Sequence, residues 1–165
     1  MHDLSENELK ERVVRENLDY LVRFALFRIG NMSLAEDAVY DAIVKFIEHK
    51  HPPIAPENMR SYLFRIVYNL CQERCRVACK YNVSLEQINE VSLTPEQQLD
   101  SDEVERINSI LDALPERQAE VIRMNVIDEL SFAEISRILS VPESTLKSRF
   151  KTGMNKLKDL YLKDE

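Results

Sequence analysis

Two amphipathic segments meet at Ser140, Val141 and Pro142, and that junction restricts the fold more than any other stretch of the chain. Ser131 and Glu134 have the spacing of a capping box at the head of a run in which Phe132, Ile135, Ile138 and Leu139 recur with helical period. The break at Ser140 to Pro142 closes this helix. Pro142 suits the first turn of a second one, whose apolar stripe is Leu146, Phe150, Met154, Leu157 and Tyr161. The pattern predicts a helix-turn-helix. Its second helix would lie in a major groove with Glu143, Ser144, Lys147, Ser148 and Lys151 on the polar side and Arg149 near the backbone phosphates. A helical hairpin built only for packing shares the spacing, and charge argues against it.

The chain carries 22 basic and 29 acidic residues, a net charge of −7 that is the wrong sign for a polyanion binder. The charge is partitioned, however. Between residues 82 and 105 lie Glu86, Glu90, Glu96, Asp100, Asp102, Glu103 and Glu105 with no lysine or arginine, which equals the whole net charge. On one side, Arg60, Arg65, Arg74, Arg76 and Lys80 face only Glu73. On the other, Lys147, Arg149, Lys151, Lys156, Lys158 and Lys163 face only Asp159. Two basic helical segments joined by an acidic connector predict two contacts with one long polyanion.

An all-α protein follows from the scarcity of turn glycine, only Gly30 and Gly153, and from the lack of alternating apolar runs. The predicted organisation is two small helical domains, residues 1–81 and 106–165, joined by an acidic linker at 82–105. The start of the chain lacks a basic segment leading into an apolar one, and no stretch approaches the roughly 18 apolar residues of a membrane span, so no membrane insertion and a cytoplasmic location are expected. Cys71, Cys75 and Cys79 recur every four residues along one helix. No fourth ligand or paired histidine accompanies them, so they read as packing thiols, with no metal and no cofactor expected. No nucleophile and base pair, metal-ligand set or phosphate loop marks a catalytic centre.

Toward the start, Ser5 and Glu8 form a capping box for a helix running to about Ile29, with Val14, Leu18, Leu21 and Ala25 on its apolar face. Gly30 and Asn31 end it. Ser33 and Glu36 are expected to cap a second helix, which turns Leu34, Ala38, Val39, Ala42, Ile43, Phe46 and Ile47 inward. Its outer face carries Asp37, Tyr40, Asp41, Val44, Lys45 and Glu48, and the mixture of apolar groups with carboxylates suits a protein contact better than a plain solvated face. Pro52, Pro53 and Pro56 then define a loop. In the third helix Met59, Leu63, Ile66, Val67 and Leu70 form the buried stripe, while Tyr62, Arg65, Asn69, Arg76 and Lys80 share the opposite side. Cations there neutralise phosphates, Asn69 offers a donor and an acceptor to a base edge, and Tyr62 offers a ring for an unpaired base. Glu73 lies on the same face, and solubilising charge alone is the plainer reading.

Three stretches together carry a family pattern: Ala35, Glu36 and Asp37 followed by Tyr40 and Asp41; Arg60 through Ile66 continuing to Asn69; and LDALPERQ from Leu111 to Gln118 leading into SFAEISRILSVPESTLKSRF. In their order and spacing the chain resembles the two-domain bacterial sigma factors of the extracytoplasmic-function group. The resemblance implies a promoter-specificity subunit without catalytic activity. It implies that Asp37, Tyr40, Asp41 and Val44 meet core RNA polymerase, that Tyr62, Arg65, Asn69, Arg76 and Lys80 meet the −10 element of promoter DNA, and that Ser144, Lys147, Ser148, Arg149 and Lys151 meet the −35 element. The loop from Pro52 to Asn58 would shape a pocket for a flipped base, the acidic connector would thread the RNA path of the polymerase, and an anti-sigma factor is an expected partner. Where that family usually has Gln, Trp, Gly, Gly, Arg and Arg, this chain has Tyr40, Tyr62, Ser140, Ser144, Thr152 and Met154. An autonomous helix-turn-helix regulator and a sigma-like decoy for an anti-sigma protein are the alternatives.

Overall fold

A computed structural model describes residues 4–80 and 95–162, all of whose regular structure is helical. Residues 82–94 of the expected connector lie outside the described residues, as do the side chains of Cys79 and Tyr161. The chain divides into two compact units, Met1–Ser101 and Asp102–Glu165.

The first unit is a three-helix arrangement in which each helix packs against the other two: α1 (Glu6–Ile29), α2 (Met32–Glu48) and α3 (Met59–Lys80). Ser5 and Glu8 make the expected reciprocal capping box at the head of α1, and the two hydrogen bonds from Ser5 hold the Glu8 carboxyl below its ordinary range. Gly30 ends α1 in the left-handed region at φ 77°, where a side chain would be strained. Asn31, two residues before Ser33, caps α2: its side chain accepts from the Leu34 amide at 3.0 Å. The turn between α1 and α2 is therefore a single left-handed glycine followed at once by the cap, tighter than a Ser33 cap would allow.

The core is built from Leu21, Phe24 and Ala25 of α1, Ala38, Val39, Ala42 and Phe46 of α2, and Met59, Leu63, Phe64 and Val67 of α3. Phe24 and Phe64 meet edge to face with centroids 5.2 Å apart. Cys71 is buried in this core; Cys75 is half-buried, its thiol donates to the Arg28 carbonyl, and burial pushes it above its ordinary value. On the inward face of α1 the expected Leu21 and Ala25 are buried, and the first half of the helix departs from expectation. Val14 and Leu18 are half-buried, whereas the heptad-spaced Lys10, Asn17 and Phe24 face inward, because Lys10 reaches the His49 carbonyl just past α2 and Asn17 accepts from Arg60 of α3.

α4 spans Pro95–Leu111, beginning before the boundary of the second unit and ending within it, so residues 95–105 of the expected connector are helical. Its apolar period explains this: Val104 and Leu111 are buried and Ile107 joins the core, while Asp102, Glu103 and Glu105 stay exposed. Acidic composition does not distinguish a linker from the solvated face of such a helix. α5 (Glu116–Ile122) continues into a wider turn of π type at Arg123–Ile127. Then come α6 (Phe132–Leu139) and α7 (Glu143–Leu162).

Candidate nucleic-acid interface

The turn between α6 and α7 is fixed by local hydrogen bonds. The Ser131 and Glu134 capping box forms as expected, with the Glu134 amide 3.1 Å from the Ser131 hydroxyl. Ser140 closes α6 in the left-handed region at φ 56°, and the Ser136 hydroxyl donates to the Val141 carbonyl at 2.7 Å. Pro142 stands one residue ahead of α7, its carbonyl accepting from the Leu146 amide. Leu146 is buried and Phe150 meets Phe132 edge to face at 5.6 Å, which locks the two helices together.

This packing decides which side of α7 looks outward. Ser144, Lys147, Ser148 and Lys151 are exposed and Arg149 is half-buried. Lys147 lies 4.0 Å from the Glu143 carboxylate, one turn earlier on an open surface where such pairing is weak. Met154, expected in the apolar stripe, is 40% exposed, and the inward position belongs to Gly153. A Cβ on Gly153 would come 2.7 Å from the end of the Ile122 side chain and 3.3 Å from Gln118, so any side chain there must displace Ile122 from its place between α5 and α7. Beneath the motif, Arg123 donates to Glu120 at 3.1 Å and to Asn108 at 3.2 Å, all from residues the sequence reading passed over. The spacing of three between Glu120 and Arg123 was the available signal, and Asn108, fifteen residues away, offered none.

On α3, Arg65, Asn69, Arg76 and Lys80 are exposed along one side, with exposed Glu73 among them. Two of the arginines counted in this basic segment are engaged within the unit. The Arg60 Nε donates to Asn17 at 2.9 Å with its guanidinium over the Phe64 ring, and Arg74 binds both the Asp41 carboxylate and the Leu34 carbonyl. Tyr62 is half-buried, its ring 5.1 Å from that of His49 and 6.4 Å from that of Phe46. Its hydroxyl lies 3.2 Å from His49 Nδ1. On the outer face of α2, Asp37 and Asp41 are exposed beside Tyr40 and Val44, which are 58% and 53% exposed. Two such apolar groups flanked by carboxylates make a small wet-rimmed patch.

Comparison with known proteins matches the two helical units separately. Residues 13–78, covering α1 to α3, match the family model for sigma-70 region 2, and residues 105–157, covering the helix-turn-helix unit, match that for sigma-70 region 4. The chain belongs to the sigma-70 family. Within it this is an ECF sigma factor, which directs promoter-specific transcription initiation by RNA polymerase and is not an enzyme. It is 28% identical over 153 residues to the ECF RNA polymerase sigma factor SigW of Bacillus subtilis, covering 85% of this chain and 82% of the relative. To the RNA polymerase sigma factor SigZ of the same organism it is 24% identical over 133 residues, covering 81% and 76%. Its fold is like that of CnrH, solved in complex with the cytosolic domain of CnrY, at 21% identity, 94% and 89% coverage and a TM-score of 0.66. It is also like that of RpoE from Bartonella quintana, solved with the anti-sigma factor NepR, at 20% identity, 92% and 97% coverage and a TM-score of 0.58.

The region 2 match removes the autonomous regulator as a reading of this sigma factor, because it gives the first unit a role that a lone helix-turn-helix does not need. Among the described residues, no helix is long and apolar enough to cross a membrane and no cluster of side chains could hold a metal ion.

Proposed function

We propose that this sigma factor divides its contacts among three surfaces. The outer face of α2, with Asp37, Tyr40, Asp41 and Val44, docks on core RNA polymerase. The exposed side of α3, with Arg65, Asn69, Arg76 and Lys80 and with Tyr62 at its loop end, reads and helps to open the −10 element, the loop from Pro52 to Asn58 forming the pocket for a flipped base. Ser144, Lys147, Ser148, Arg149 and Lys151 at the head of α7 meet the −35 element in the major groove. The carboxylates between residues 82 and 105 suit the positive channel that carries RNA. The likeness to RpoE, solved with an anti-sigma factor, supports an anti-sigma partner here, and action on the transcription machinery suits a cytoplasmic location.

The observation that carries this reading is the sorting of charge on α3: Arg60 and Arg74 serve the first unit's own packing, while Arg65, Asn69, Arg76 and Lys80 remain exposed on one side. Reconstitution with core polymerase, followed by mapping of transcript starts, tests it. Specific starts that disappear when Asn69, Arg76 and Lys80 are replaced together support the assignment, and starts indifferent to all three refute it.

A further inference from the structure

Residues 49–55 lead from α2 to the short turn before α3, and Lys50, His51, Pro52 and Pro53 are exposed. Polar contacts hold this segment where apolar burial does not. Lys10 of α1 is only 2% exposed. Its ammonium pairs with Glu6 at 3.0 Å, donates to the His49 backbone carbonyl and sits 6.0 Å from the centroid of the Phe46 ring. Burying an ammonium costs desolvation that a methionine of similar length would avoid. What the ammonium adds at this position is a grip on the first peptide of the loop.

The His49 ring continues the connection. Its Nε2 lies 2.7 Å from the Pro52 carbonyl oxygen, and a carbonyl only accepts, so Nε2 carries the proton. In the neutral ring Nδ1 is then an acceptor, and the Tyr62 hydroxyl 3.2 Å away donates to it. The hydrogen bonds run in one direction, from α3 through His49 to the loop backbone. Phe46 is near both ends, its ring centroid 6.4 Å from that of Tyr62 and 6.0 Å from the Lys10 ammonium.

We propose that Lys10, His49 and Tyr62 form a clamp that positions the 49–55 loop for −10 recognition, and so sets promoter selectivity. The proposal rests on the reading that this loop and α3 meet the −10 element. Its physical basis is pre-organisation. A loop held at the carbonyls of His49 and Pro52 offers one shape to an unpaired base, and a single shape rejects the wrong base, whereas a loop that rearranges accommodates several. Tyr62 then serves recognition chiefly through its hydroxyl, as a positioning residue, with its ring committed to His49 and Phe46.

Holoenzyme reconstituted from core polymerase and the full chain is the system for the test, with promoters that the wild-type holoenzyme itself selects from a pool randomised across the −10 element. Tyr62→Phe removes one oxygen and keeps the ring packing, His49→Ala removes the relay, and Lys10→Met removes the ammonium. Preference for the selected promoter over versions with one −10 base replaced is expected to fall about five-fold in Tyr62→Phe and in His49→Ala, with core affinity altered less than about two-fold. Unchanged preference in both variants overturns the clamp. A uniform loss on every promoter that follows core binding or the folded fraction also overturns it, since that is what a merely structural contact produces. Inability of the wild-type holoenzyme to select any −10 sequence strikes earlier, at the assignment of α3 itself, and is seen before any variant is made.

Discussion

Arg74 on α3 binds the Asp41 carboxylate of α2 with one guanidinium nitrogen while another reaches the Leu34 carbonyl, so one arginine ties two helices across the open side of the first unit. Arg74 is 28% exposed and Asp41 59%, a setting in which solvent screens the pair. Asp41 is also one of the carboxylates proposed to meet core polymerase. Its carboxylate is therefore paired, weakly, with Arg74 when no partner is bound.

A double-mutant cycle with Arg74→Ala and Asp41→Ala is expected to return a coupling of up to about 1 kcal/mol by urea denaturation, smaller in high salt. A coupling several times larger would show that the pair is shielded from water in solution.

Asn69→Ala should depress open-complex formation about ten-fold or more while leaving core affinity within about two-fold, because the amide proposed to read a base is exposed and so contributes little to the fold. Permanganate footprinting of the −10 region, beside a core-binding titration, makes the comparison. Equal losses in the two measurements mean that this side of α3 has been misassigned.

Lys147→Ala combined with Lys151→Ala removes two exposed cations from the head of α7. Holoenzyme binding to promoter DNA should weaken, and the slope of log affinity against log salt should become shallower by about 1 to 2. An unaltered slope excludes phosphate contacts at these two residues.

Gly153→Val should destabilise the second unit by about 1–3 kcal/mol, since the new side chain must displace Ile122 or push α5 from α7. Hydrogen exchange of the full chain is the suitable readout. Faster exchange confined to residues 116–162 is expected, with α1 to α3 unaffected.

Ser140→Gly should act in the opposite direction, gaining about 0.5–1 kcal/mol because glycine adopts the left-handed conformation at φ 56° without a Cβ penalty. Thermal denaturation that shows no gain would mean that the serine side chain compensates its own strain.

Features decided within one or two helical turns were legible in the amino-acid sequence: the capping boxes at Ser5 and Ser131, the glycine stop at Gly30, the proline-rich loop after α2, the helix-turn-helix and the uneven distribution of charge. The reason is range. A side chain that caps an amide three residues away needs no knowledge of the rest of the chain, and an apolar period declares a buried face whatever covers it.

Features decided by residues far apart were settled only in the folded chain. Helical spacing alone counts Arg60 and Arg74 with the basic segment, yet Asn17 and Asp41, distant in sequence, turn both to internal work. Lys10 and Asn17 are polar by composition and buried in fact, since groups distant in sequence, the His49 carbonyl and the Arg60 guanidinium, meet them. The period of α7 alone favours Met154, while the close approach of α5 selects Gly153, and residues 95–105 are helical where their charge suggested a linker. Burial of a polar group is favourable only when a partner meets it, and tertiary packing alone determines which partners meet.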